Sequence, residues 1–106
     1  MGWLLRQGEV LASLDVARSA DEVQRGGGGV VGAQIRHGAH LAANLKLGGA
    51  RDLAWLDEDL IVRDISHLGV VGLRLRPHNC SAALLADRGA FERWRLSCGD
   101  QLEVRE

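Results

Sequence analysis

The stretch Cys80-Ser81-Ala82-Ala83-Leu84-Leu85-Ala86-Asp87-Arg88-Gly89-Ala90-Phe91-Glu92-Arg93-Trp94, continued by Gly99-Asp100-Gln101-Leu102-Glu103-Val104-Arg105, decides how this chain folds. Cys80 to Ala86 is an unbroken apolar run of strand length. From Asp87 the period changes: Ala90, Phe91 and Trp94 share one helical face while Glu92, Arg93 and Arg95 point outward, which predicts a short helix packed on a sheet. Gly99-Asp100 then turns the chain into a closing strand with alternating side chains. All of this reads as scaffold, and no comparable stretch elsewhere supplies a catalytic constellation.

Working outward, Trp3 to Arg6 and Glu9 to Leu14 flank Gln7-Gly8, the pattern of a hairpin with a short glycine turn. Ser19 lies three residues before Glu22, the capping-box spacing, and predicts a short helix over Ala20–Arg25 ended by Gly26. Gly26 to Gly29 invite a phosphate-loop reading. They lack a following Gly-Lys-Ser/Thr and a helix, so they read as a connector. Val30 to Arg36, Leu41 to Leu47, Asp52 to Leu56, Leu60 to Leu68, Val70 to Arg76 and Cys80 to Ala86 are the remaining strand candidates, with turns at Asp57-Glu58-Asp59 and Arg76-Pro77-His78-Asn79. Strands at such even spacing predict an α+β domain with a small curled, barrel-like, mostly antiparallel sheet and two short helices.

At 106 residues the chain suits one domain spanning 1–106, and 46% hydrophobic residues with 14 glycines and one proline describe a globular, turn-rich protein. Thirteen basic and fourteen acidic residues leave a net charge of -1, so no global field draws in nucleic acid or anionic lipid, and neither is expected as a partner. Arg63, Arg74 and Arg76 read as the solvated side of a sheet. Cys80 and Cys98 form neither a CxxC pair nor a disulfide framework and are expected as free thiols in a cytoplasmic protein. No segment has signal-peptide or transmembrane length. Met1-Gly2 resembles a myristoylation start, but Arg6 stands where that motif wants Ser or Thr.

Four histidines, at positions 37, 40, 67 and 78, and two cysteines provide metal-ligand types without metal-ligand spacing. His37 and His40 fall on opposite faces if their segment is extended, so neither a metal nor a cofactor is expected. His78 lies two residues from Cys80, yet Cys80 opens an apolar run and reads as a core residue. Among the carboxylates, Asp57 to Asp59 are turn chemistry. Asp52 and Asp64 sit beside apolar strand residues and are candidates to face a pocket, although an inward Asp is more often a hydrogen-bonded structural residue.

Ser81 to Trp94, Leu96 and Gly99 to Val104, with Trp3 to Arg6, Glu9 to Ala12 and Asp52-Leu53-Ala54-Trp55-Leu56-Asp57, resemble the domain of unknown function 192 family, in particular its short actinobacterial members. The resemblance spans nearly the whole chain and implies a small mixed α+β domain with a curled sheet; it brings no established activity. Of the family's polar segments, a Met-x-Asn-Thr-like run leading to Pro-Leu-Asp among them, only Asp52 remains. The expectation is a non-enzymatic binding or interaction module. The competing expectation is a small-molecule-binding protein or enzyme with a pocket around Asp52, Asp64 and either His40 or His67, which requires at least two of these side chains to converge. A protein partner, or a homo-oligomer formed through an exposed strand edge, is a third expectation.

Overall fold

The computed structural model describes residues 2–17, 33–38, 41–44, 51–68 and 72–106. Strands β1 (Gly2–Arg6) and β2 (Glu9–Ala17) form the expected hairpin. Its two turn residues, Gln7 and Gly8, both have positive φ, 51° and 79°, which matches the right-handed twist of the flanking strands. A bulge between Leu4 and Leu5 shifts the register so that Leu4 faces Ala12 and Leu5 faces Val10. Beyond the hairpin come β3 (Ala33–His37), β4 (Leu41–Asn44), β5 (Arg51–Leu56), β6 (Val62–Leu68), β7 (Gly72–Leu75), β8 (Ala82–Asp87), α1 (Ala90–Trp94) and β9 (Glu103–Arg105).

Among the described residues seven strands make one sheet in the order β6-β5-β8-β3-β2-β1-β9, and β4 pairs with β7 in a separate two-stranded sheet. The β2–β3 pair is parallel, with Leu14 opposite Ala33, and the other pairs of the large sheet are antiparallel. A parallel pair needs a long connection, which the sequence separation of Ala17 and Ala33 provides. The sheet is therefore open and mixed, and this corrects the barrel-like expectation. Even strand spacing says how often the chain turns, not whether its edge strands meet. Here β9 is three residues long and pairs with β1. The residues just before β9 touch the start of β6 through the isolated bridge Ile61 to Gln101 and backbone bonds that include Gly99 N–H to the Val62 carbonyl, without a continuous strand pairing. The described residues are mostly strand with one short helix, α1, which corrects the α+β expectation as well. The segments expected to form a helix at Ala20–Arg25 and a connector at Gly26–Gly29 lie outside them.

The centre of the sheet explains the apolar run. β8 has buried residues from Ala82 to Ala86, and β5 from Asp52 to Leu56, so both strands are covered on both faces. On one face Leu4, Leu14, Ile35, Ala54, Leu56, Val62, Leu84, Phe91 and Leu102 form the larger cluster. On the other Leu53, Trp55, Cys80, Ala83 and Leu85 form a smaller one. Alanines at 82, 83 and 86 keep β8 thin enough to be covered from both sides. α1 caps the larger cluster through Ala90 and Phe91, and the Phe91 and Trp94 rings meet with centroids 5.7 Å apart.

Candidate functional site

Asp52 is the most deeply buried charged side chain described, with 1% of its surface exposed. It stands on β5 directly opposite His67 on the edge strand β6. One carboxylate oxygen accepts from His67 Nδ1 at 2.9 Å. The other accepts the backbone N–H groups of Gly89 and Phe91 at 3.0 and 3.1 Å. Those two amides belong to the N-cap and first turn of α1, whose early N–H groups have no partner within the helix. The cap residue is a glycine with φ 89°, so it offers no side chain to do this work, and the neighbouring strand does it instead.

The opposite end of α1 is held in the same manner with the charge reversed. Arg6, at the end of β1, donates to the carbonyls of Trp94 at 2.6 Å and Arg95 at 3.2 Å, and to Asp100 Oδ2 at 3.1 Å. Asp100 in turn accepts the Ser97 N–H at 2.9 Å. An isolated five-residue helix is far below the length at which helices persist in water. α1 persists because a buried anion meets its positive end, a half-buried cation meets its negative end, and Phe91 anchors the middle.

The sequence candidates separate accordingly. Asp52 and His67 converge. Asp64 does not: it is exposed on β6 opposite Trp55, three residues from His67 and so on the other face of the strand. His40 lies outside the described residues. His37 is exposed at the end of β3, and His78 is exposed in the turn before β8. A buried carboxylate that fixes Nδ1 of an exposed imidazole is the orienting half of a general-base pair. A reaction would also require donors aimed at a developing charge. The two backbone donors nearest this pair point at Asp52 itself.

The thiol reading also resolves. Cys80 is buried and Cys98 exposed, and both are free. Burial, with help from Asp57 and Asp64, pushes the Cys80 thiol above its ordinary range, so it is held protonated. Its hydrogen bond goes to Asn79 Oδ1 at 3.5 Å rather than to His78. Asp57 is turn chemistry, as expected. Its Oδ1 accepts the Asp59 and Ile61 N–H groups at 2.9 and 3.0 Å, and Oδ2 accepts Arg63 Nε at 2.7 Å. The Ile61 N–H above all, and then Arg63, hold this carboxyl below the usual carboxylate range.

Sequence reasoning missed Arg6. Its partners lie 88 to 94 residues away, and nothing local in Leu5-Arg6-Gln7 marks it. The hint was only indirect, a helix too short to stand alone.

No protein-family model matches the chain, and no curated protein matches it by sequence. Two solved structures share its fold. One is a protein of unknown function from Novosphingobium aromaticivorans, 15% identical, with a TM-score of 0.69 over 96% of this chain and 82% of that one. The other carries the name "putative transcription regulator" and comes from Sinorhizobium meliloti; it is 13% identical, with a TM-score of 0.67 over 97% of this chain and 91% of that one. At these identities the likeness is one of fold alone. Among the described residues no helix is long and apolar enough to cross a membrane.

Proposed function

We propose that this protein is a small non-enzymatic binding or interaction module of the cytoplasm. The observation that carries the reading is the commitment of Asp52: both oxygens of the most deeply buried carboxylate among the described residues hold the fold together, through α1 on one side and β6 on the other. Asp64, the second carboxylate such a site would recruit, stands on the opposite face of the sheet edge. Cys80, buried and with its thiol pushed above the ordinary range, is not poised as a nucleophile for the His78 beside it to activate. Unbridged cysteines agree with a reducing compartment. The resemblance to the domain of unknown function 192 family, which has no activity to lend, fits the same reading.

The test compares the parent protein with His67→Ala on a panel of ester, phosphate, glycoside and amide substrates. No turnover above buffer that depends on His67 is the expected result. Any turnover abolished by His67→Ala would show that the Asp52–His67 pair orients a working base and would end the non-enzymatic reading.

A further inference from the structure

The start of β2 and the C-terminal end of α1 flank an open cleft of ≈ 370 Å³, lined by Arg6, Glu9, Val10, Leu11, Arg93, Trp94 and Arg95. That volume is in the range of small-molecule sites. Arg6, Arg93 and Arg95 line the cleft together with Glu9, in a chain whose net charge is -1, and Arg6 is already ion-paired with Asp100 at 3.1 Å. Val10, Leu11 and Trp94 give it an apolar wall beside the charged one. Arg6 is fixed by the Trp94 and Arg95 carbonyls and Asp100. Among the described residues, Arg93 and Arg95 make no side-chain hydrogen bond, and both are exposed.

A second, independent feature concerns Arg95. α1 ends with the Arg95 N–H bonded to the Glu92 carbonyl and the Leu96 N–H bonded to the Phe91 carbonyl, the paired bonds of a Schellman ending. That ending places Arg95 in the left-handed region, at φ 54° and ψ 44°. Glycine is the unstrained residue there, and an L side chain is disfavoured by its Cβ. The position nevertheless holds an arginine, and that residue lines the cleft.

We infer that this cleft binds a small organic anion, a carboxylate or phosphate ester with an apolar body, the charged group meeting Arg93 and Arg95 and the body lying along Val10 and Trp94. The inference rests on the binding-module reading and names its ligand class. Arg6 already holds α1 and is paired with Asp100, so it shapes the wall of the cleft and is not the ligand's partner.

The experiment is a calorimetric titration with phenyl phosphate, benzoate, inorganic phosphate and, as the neutral control, phenol. The parent protein is compared with Arg93→Gln and Arg95→Gly, and thermal melts are run in parallel. Phenyl phosphate or benzoate should saturate a single site where phenol and inorganic phosphate do not, with affinity falling about tenfold in each variant, the loss of one charge-assisted contact. Arg95→Gly should at the same time melt higher than the parent, because it relieves the left-handed strain, so weaker binding there is not unfolding. Absence of saturable binding, or affinity unchanged in both variants, overturns the cleft as an anion site and leaves the non-enzymatic reading standing. Release of phenol from phenyl phosphate overturns that reading instead.

Discussion

Replacing Asp52 by alanine removes the anion at the start of α1 and all three hydrogen bonds it accepts. The Phe91 N–H is buried, and left without an acceptor it costs about 1–3 kcal/mol. The Gly89 N–H is only part-buried and can turn to water, so its loss is nearer to about 1 kcal/mol. Removing a buried negative charge from a helix N-terminus adds about 0.5–2 kcal/mol. Together these put Asp52→Ala at about 2.5–6 kcal/mol, a large part of the ~5–15 kcal/mol that holds an ordinary domain folded. Asp52→Asn behaves differently. Its amide oxygen can accept both helix amides while its NH2 donates to Nδ1 of a neutral His67, so only the charge is lost, at about 1–2 kcal/mol. His67→Ala breaks a bond to a side chain that is 76% exposed and costs at most ~1 kcal/mol. Urea unfolding followed by tryptophan fluorescence gives the three values, and hydrogen exchange at the Phe91 amide reports the cap directly. If His67→Ala proves as costly as Asp52→Ala, or if Asp52→Ala stays within ~1 kcal/mol of the parent with Phe91 still protected, Asp52 is not a helix clamp and the reasoning fails.

Three further outcomes follow from the same geometry. Arg6→Ala should destabilise by about 1–3 kcal/mol in urea unfolding, and Arg6→Lys should recover only a fraction, since an ammonium cannot span two carbonyls and Asp100 in one plane. Gln7→Asn should raise stability by about 0.5–1 kcal/mol, because Gln7 sits at φ 51° in the hairpin turn, where asparagine is tolerated; an unchanged urea midpoint would contradict this. Asp57 has a depressed carboxyl, so its contribution to stability is fully present above the ordinary Asp value of about 4 and fades as pH falls through its lower folded value. Melts across that acid window should therefore fall more steeply in the parent than in Asp57→Asn, and parallel curves would remove Asp57 from the account of acid unfolding.

The legible part of the fold was local. Gln7-Gly8, Asp57 to Asp59, the period change at Asp87 and the apolar run before it each placed an element or a turn close to where it stands. What the sequence withheld was pairing between distant segments. That β2 runs parallel to β3, that β8 inserts between β3 and β5, and that β4 and β7 leave the main sheet depend on contacts with no local spacing to report them. The candidate site divides along the same line. Asp52 stood out because a charge beside Leu53 and Trp55 must face something, and it does. Its partners Gly89 and Phe91 are 37 and 39 residues on and meet it through backbone amides, which every residue carries and no sequence pattern distinguishes. Asp64 has equally apolar neighbours in sequence, but strand parity turns it outward at the sheet edge.

The place of β8 has a consequence for how the protein emerges from the ribosome. During synthesis the β1–β2 and β5–β6 hairpins are complete well before Ala82 to Asp87 appear, yet β3 and β5 each owe one edge to that later strand. Until it arrives, the nascent chain presents two unpaired edges flanking a vacant slot, the kind of surface on which chains associate wrongly. Folding therefore waits on its last quarter, and a chain stalled or cleaved just before Ala82 yields an adhesive intermediate rather than a smaller stable domain.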